Sequence, residues 1–137
     1  MKINTEYVTS NNEDPLITTI TINRPSAFNS LTPELVLEIG HAISNAQVSG
    51  SRAIVITGSG KAFCTGADIN YLEHHYRDNQ DDSFQEFMNK FISSLNTGVI
   101  RKIAESPIPV VASVNGIAAG AGVGIALACD VRIIAEN

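Results

Sequence analysis

One stretch, residues 107–130, constrains the fold of this chain more than any other. It begins with an apolar run, VVASV, that predicts a buried strand at 110–114 and leads directly into a glycine-rich turn. From Gly122 onward, small and aliphatic residues extend to Cys129 and predict a buried helix. A strand, a turn of small residues and a helix together present backbone N–H groups to an oxygen that carries or develops negative charge.

Strands and helices alternate along the rest of the chain, which predicts an α/β fold. A β-branched, alternating run predicts a strand at 16–22, and a weaker strand at 3–8 is expected to form a hairpin with it. Thr32 caps a predicted helix that ends at Gly50, and 53–57 follows as a short buried strand. Strand, helix and strand in this order predict a crossover with parallel pairing.

The second half of the chain continues the pattern. The charged and polar run at 73–82 predicts a mobile surface loop, and apolar residues at helical spacing predict one long amphipathic helix over 84–103. Residues 131–134 predict a further strand. No repeat or linker divides the chain, so residues 1–137 are interpreted as one domain.

Composition narrows the classes of partner. The chain has 137 residues, 44% of them hydrophobic, which is enough for one domain with a core. A net charge of −5, with nine Lys and Arg residues scattered along the chain, argues against nucleic-acid binding. No apolar stretch reaches the roughly 18 residues of a membrane span, and the first residues lack a secretion or transit signal. We therefore expect a cytoplasmic protein with no membrane partner.

Cysteine and histidine placement adds two expectations. Cys64 and Cys129 are far apart in sequence, and two free thiols in a reducing compartment are favoured over a disulfide. His74 and His75 lie beside Glu73, but adjacent side chains diverge on a regular element and no further ligand is near in sequence. A metal site is therefore not expected.

Two nucleotide-binding interpretations of the glycines fit poorly. A dinucleotide site requires GxGxxG, whereas Gly120, Gly122 and Gly124 give GxGxG. A phosphate-binding P-loop requires Ser or Thr after the GK pair, whereas Gly60 and Lys61 precede an alanine.

A third interpretation pairs two glycine-rich turns. The turn at Gly66–Asp68 follows a short extended piece at 62–64, and the other glycine-rich turn follows the strand at 110–114, so each can direct an amide at one point near the strand ends. Two converging N–H groups make an oxyanion hole, which stabilises a carbonyl as it becomes an enolate or a tetrahedral anion. The alternative is that the small residues only permit close helix packing, and composition does not separate the two.

A family resemblance favours the oxyanion hole. The motifs NRPSAFNSL (23–31), GKAFCTGADI (60–69), PIPVVASVNGIAAGAG (107–122) and ACD (128–130) resemble, in order, the signatures of the enoyl-CoA hydratase/isomerase family, the crotonase superfamily. The resemblance implies a crotonase-like spiral of ββα units, of which this chain would be the N-terminal part, assembled as homotrimers or hexamers.

The same resemblance implies an acyl-CoA thioester as substrate and no separate cofactor, because coenzyme A is part of the substrate. The thioester carbonyl would be held by the backbone N–H groups of Ala67 and Ala121. The residues expected to bind the substrate come from the loop after the second strand and from the first glycine turn: Arg24, Ser26, Ala27, Phe28, Asp68, Ile69 and Asn70. Arg24 is interpreted either as a contact to a CoA phosphate or as a solvated or salt-bridged arginine.

One position departs from the hydratase pattern. Family hydratases carry a glutamate that works on water at the position of Gly124, and a glycine supplies neither acid nor base. The resemblance is therefore closer to isomerases that shift a double bond or open an epoxy-acyl-CoA through an enolate, with enoyl-CoA hydratase as the alternative.

The acid/base carboxylate is expected beyond Asn137, in a C-terminal part that this chain lacks. Asp68 and Asp130 are poor substitutes, because the first is expected to cap a helix and the second to hold a turn. The rival hypothesis is a truncated family member that binds CoA or oligomerises without catalysis.

Overall fold

The computed structural model describes residues 8–11, 16–78 and 84–136, and it confirms the α/β class. The strands in these ranges are β1 (Val8–Asn11), β2 (Ile17–Ile22), β3 (Ala53–Gly58), β4 (Ala62–Cys64), β5 (Val110–Val114), β6 (Ile117–Ala118) and β7 (Val131–Ile134). The α-helices are α1 (Pro33–Val48), α2 (Ile69–Asp78), α3 (Phe84–Leu95), α4 (Arg101–Ala104) and α5 (Ala121–Ala128).

Five strands form the main sheet in the order β1-β2-β3-β5-β7, and all pairs except β1 with β2 are parallel. The predicted hairpin is confirmed, because β1 runs antiparallel to β2 with Val8 opposite Ile22. The structure describes the first strand of this hairpin at Val8–Asn11, with Val8 buried, and the other residues of the strand predicted at 3–8 lie outside the described ranges.

The predicted crossover from β2 through α1 to β3 is confirmed. Ile20 of β2 pairs with Ile56 of β3 in parallel register, and both side chains are fully buried. Thr32 caps α1 by accepting a hydrogen bond from the Leu35 amide at 3.3 Å. Leucine and isoleucine side chains of α1 pack against this sheet, and they form the core with residues of α3, β5 and α5: Leu35, Ile39, Ile43, Phe91, Val110 and Ile125.

The predicted surface loop at 73–82 is wrong for residues 73–78, which belong to α2; residues 79–83 lie outside the described ranges. Two contacts account for the helix. Glu73 and Arg77 form an ion pair one turn apart. On another side of α2, the rings of Tyr71 and His75 stack, and His75 lies 4.3 Å from the ring of Phe87 on α3.

The long helix predicted over 84–103 contains α3 and α4, joined by a π-helical turn at Asn96–Ile100. Phe91, Val99 and Ile103 face the core, whereas Phe84 is half-exposed. The helix predicted from Gly122 begins one residue earlier and is buried on one face only, since Leu127 is 65% exposed. Within the described ranges, no helix is long and apolar enough to cross a membrane.

Candidate active site at the two glycine turns

The two glycine-rich turns meet because short strands precede them. β4 and β6 pair in parallel, with Ala62 opposite Ile117, and the Ala119 amide donates to the Cys64 carbonyl at 3.0 Å. Parallel strands end at the same edge of their sheet, so both turns emerge side by side. Sequence reasoning missed β6, because two apolar residues after Gly116 are too short a pattern to predict a strand.

The first turn fixes the direction of the Ala67 amide. Leu31 donates its N–H to the Gly66 carbonyl at 2.7 Å and accepts from the Asp68 amide at 2.9 Å, which makes an isolated parallel bridge between Leu31 and Ala67. The Gly66 carbonyl and the Ala67 N–H belong to one planar trans peptide and point in opposite directions. The Ala67 N–H is therefore directed away from Leu31.

The second turn fixes the direction of the Ala121 amide. Ala121 is the first residue of α5, where an N–H group has no partner within the helix. The Gly120 carbonyl of the same peptide accepts from the Gly124 amide at 3.2 Å, so the Ala121 N–H points out of the helix end. Gly120 precedes the helix with φ of +50° and places no side chain over that end.

Gly66 brings the two amides close together. Its φ of +92° favours glycine, and a Cβ atom built there would lie 3.2 Å from the Ala121 nitrogen and 3.1 Å from the Ala119 oxygen. In the part of the chain that the structure describes, neither the Ala67 nor the Ala121 amide donates a hydrogen bond to another residue. Both remain available to one ligand oxygen.

The small residues of the second turn also serve packing, as the alternative interpretation held. A side chain at Gly122 would collide with the Cys64 backbone. Gly124 differs, since among the described residues no atom lies within 4 Å of a Cβ built there. Packing therefore requires glycine at position 122 and does not require it at position 124.

A cavity of about 370 Å³ lies beside the first turn. Six of the seven predicted substrate-binding residues line it: Ser26, Ala27, Phe28, Asp68, Ile69 and Asn70. Ala67, Ser30 and Thr65 complete the lining. The wall of the cavity is mixed in character, because Phe28 is half-exposed and apolar while Ser26 and Asn70 are polar.

Arg24 is the predicted substrate-binding residue that does not line this cavity. Its Nη2 atom lies 3.0 Å from Asp68 Oδ2, and its Nη1 atom donates to the Ser30 carbonyl at 2.6 Å. The predicted capping role of Asp68 is confirmed, since its Oδ1 atom accepts from the Tyr71 amide at 3.1 Å. Asp130 likewise holds a backbone group, the Val110 amide, at 2.8 Å.

A second cavity of about 410 Å³ adjoins the first through Ile69. It is lined by Ile69, Leu72, Glu73 and Phe84 and is mostly apolar. Sequence reasoning missed it, because it depends on α2 extending through residues that were predicted to be a loop.

The two thiols of the chain are poor nucleophiles. Cys64 and Cys129 are free and buried. Burial raises the pKa of each thiol to about 11, so both are protonated at neutral pH. Neither cysteine therefore offers a thiolate at neutral pH.

Comparison with known proteins agrees with this geometry. Residues 12–137 match the family described as enoyl-CoA hydratase/isomerase. A probable enoyl-CoA hydratase echA6 of Mycobacterium tuberculosis is 37% identical over 122 residues, which cover 88% of this chain and 44% of the relative. The 1,2-epoxyphenylacetyl-CoA isomerase of Escherichia coli is 31% identical over 136 residues, which cover 96% of this chain and 48% of the relative.

Solved structures give the same result. An enoyl-CoA hydratase from Bacillus anthracis superposes with a TM-score of 0.80 at 30% identity, covering 94% of this chain and 47% of that one. An enoyl-CoA hydratase/isomerase (crotonase) from Legionella pneumophila gives 0.81 at 26% identity, with 96% and 48% covered. The chain thus spans about half the length of the proteins it matches.

Proposed function

This chain belongs to the enoyl-CoA hydratase/isomerase family and has the crotonase fold, and we propose that it binds an acyl-CoA thioester and stabilises the enolate of that thioester. The observation that carries the proposal is that two turns at the ends of paired parallel strands bring Gly66, the neighbour of Ala67, close to the Ala121 nitrogen, while both amides lack an acceptor among the described residues. The thioester oxygen would accept from both amides.

Amides held in a fixed orientation stabilise a transition state most where negative charge develops in it. Loss of one oxyanion-hole donor typically costs about 2.7–4 kcal/mol in catalysis. Here each amide is fixed by the partner of its own peptide carbonyl, Leu31 for one and Gly124 for the other. Little reorganisation is then needed when the carbonyl becomes an enolate.

The cavity beside Ala67 supports the proposed substrate contacts. Ser26, Ala27 and Phe28 would contact the CoA portion, and Ile69 and Asn70 would lie at the substrate entry. Asp68 lines the same cavity with its carboxylate held by its neighbours. Coenzyme A enters with the substrate, so the proposal includes no separate cofactor.

We favour double-bond or epoxide isomerisation over hydration. Gly124 stands where family hydratases carry a water-activating glutamate, and the open space around it means that packing does not impose the glycine. The E. coli relative is named an isomerase. Relatives named hydratase, including the M. tuberculosis protein, favour hydration as the second candidate.

The proton transfers of either reaction need an acid/base group. Asp68 and Asp130 are engaged with backbone amides and are not assigned to this role. Either reaction therefore needs an acid/base group other than these two carboxylates.

The proposal extends to assembly and location. We propose a homotrimer or hexamer in the cytoplasm. The exposed apolar side chains of α5 and β7 support assembly, because such side chains are stabilised when another surface covers them: Leu127, Val131, Ile133 and Ile134.

The test offers the full-length protein a 3-enoyl-CoA and a 2-enoyl-CoA in separate assays. We expect the 3-enoyl-CoA to be converted to the conjugated 2-enoyl thioester, seen as a rise in ultraviolet absorbance, and the 2-enoyl-CoA to be hydrated slowly or not at all. Rapid hydration of the 2-enoyl-CoA without any double-bond shift would contradict the isomerase assignment and support the hydratase.

A further inference from the structure

Arg24 forms an ion pair with Asp68, the last residue of the first glycine turn. Arg24 Nη2 lies 3.0 Å from Asp68 Oδ2, and the two side chains are only 18% and 10% exposed. The second guanidinium nitrogen, Nη1, donates to the Ser30 carbonyl at 2.6 Å. This guanidinium faces the protein interior, and a CoA phosphate would have to compete with both acceptors for it.

The Asp68 carboxylate is held from three sides. Its Oδ2 atom accepts from the Ser30 hydroxyl at 3.1 Å as well as from Arg24, and its Oδ1 atom caps α2 through the Tyr71 amide. Burial by itself would raise the pKa of Asp68, but the hydrogen bonds from Tyr71, Ser30 and Arg24 outweigh it and lower that pKa below its ordinary value. The carboxylate is therefore ionised at neutral pH and fixed in place.

Two rigid peptides connect this ion pair to the Ala67 amide. The Ser30 carbonyl held by Arg24 shares a peptide plane with the Leu31 N–H, and that N–H bonds the Gly66 carbonyl. The Gly66 carbonyl shares a plane with the Ala67 N–H. The orientation of the Ala67 amide is thus set through two peptide planes by the guanidinium of Arg24.

Asp68 connects the same two segments through its own backbone amide and its side chain. Its own amide donates to the Leu31 carbonyl at 2.9 Å, and its side chain binds both Arg24 and Ser30. Residues 23–31 and 66–68 are therefore clamped together by one charged pair and two backbone hydrogen bonds.

We propose that Arg24 and Asp68 are positioning residues that aim the Ala67 N–H at the thioester oxygen, and that Arg24 is not a ligand of a CoA phosphate. The inference rests on the proposed function, because it assigns the ion pair a role in the same oxyanion hole.

The test uses a saturated acyl-CoA, isotopically labelled at its thioester carbonyl carbon, bound to the full-length protein at saturation. Hydrogen bonds from Ala67 and Ala121 shift the carbonyl stretch to lower wavenumber, and isotope-edited infrared difference spectra measure that shift. Turnover of an unsaturated acyl-CoA gives kcat and KM for the same variants.

We expect Arg24→Gln and Asp68→Asn each to reduce the infrared shift and to lower kcat by about 10- to 100-fold, as small misplacements in active sites do. The dissociation constant of the saturated acyl-CoA should change little. Because the pair acts as a unit, the double variant should cost little more than either single variant. Arg101→Gln is the matched control, since it breaks an exposed ion pair with Glu105 outside the site, and it should change neither quantity.

Other results would overturn the inference. An unchanged infrared shift in both variants, with KM raised in Arg24→Gln and kcat unaffected, would make Arg24 a phosphate ligand. If Arg24→Gln fails to fold, the isosteric Asp68→Asn and the conservative Arg24→Lys carry the same comparison. A wild-type protein that binds the acyl-CoA without any carbonyl shift would instead defeat the proposed function, and the inference with it.

Discussion

The role proposed for Ala121 belongs to its backbone N–H, so ordinary side-chain substitutions do not test it. Its place as the first residue of α5 offers a way to remove that group. Proline lacks the N–H and is favoured at the first position of a helix, where the amide makes no hydrogen bond within the helix. Ala121→Pro therefore removes the donor with a residue that the helix accommodates.

We predict that Ala121→Pro lowers kcat by about 10²- to 10³-fold, the usual effect of losing one oxyanion-hole donor. Ala121→Gly is the control at the same position, since it keeps the N–H and removes only a methyl group, and it should retain most of the activity. Urea unfolding of both variants checks that the fold is intact. Wild-type kcat in a folded Ala121→Pro protein would exclude this amide from catalysis.

Some residues of the site could be predicted from the sequence and others could not. Ala67 and Ala121 were predicted through motif resemblance, and the fold places Gly66, the neighbour of Ala67, close to the Ala121 nitrogen. The partnership of Arg24 with Asp68 was not predicted, because the two residues are 44 positions apart and tertiary contacts, among them the bridge at Leu31, bring them together. Ion pairs between distant residues leave no periodic signal in a sequence.

At the scale of elements, α2 shows how a local pattern misleads. Its charged residues have no apolar period, yet the capping carboxylate of Asp68 begins the helix and the Phe87 ring on α3 packs beside it. By contrast, α1 and β3 were predictable because cap, apolar face and β-branched alternation are all local. Elements that depend on a distant partner, such as β6, were missed.

Because Asp68 caps α2 as a carboxylate, we predict that its contribution to the unfolding free energy depends on pH. Its pKa is lower in the folded chain than in the unfolded chain, so its contribution to stability is present above the unfolded value of about 4 and is lost as pH falls through the folded pKa. The difference in unfolding free energy between wild type and Asp68→Asn should therefore be largest near neutral pH and shrink below pH of about 4.

Urea unfolding of the two proteins at a series of pH values measures this difference, and other titrating groups cancel because both proteins carry them. Asparagine caps a helix about as well as aspartate, so the difference reports the lost charge, whose hydrogen bonds to Arg24 and Ser30 set an expected size of about 1.5–3 kcal/mol at neutral pH. A difference that stays constant, or grows as the pH falls, would show that the Asp68 charge does not stabilise the folded chain.

At the scale of the whole molecule, one arrangement of strands determines the site. The parallel sheet brings β3 and β5 side by side, and each leads into a short strand, β4 or β6, that carries a glycine turn to the same edge. Crossover rules predicted the parallel pairing of β2 and β3 from sequence. The meeting of the two turns was predicted only as a possibility, because it depends on the pairing of β4 with β6.

The most direct measurement is a crystal structure of the full-length protein with a saturated acyl-CoA bound. We predict that the thioester oxygen lies about 2.7–3.1 Å from the amide nitrogens of both Ala67 and Ala121, with the ligand in the cavity beside Phe28. A well-ordered complex in which the thioester oxygen contacts neither amide would contradict the oxyanion hole at these two turns.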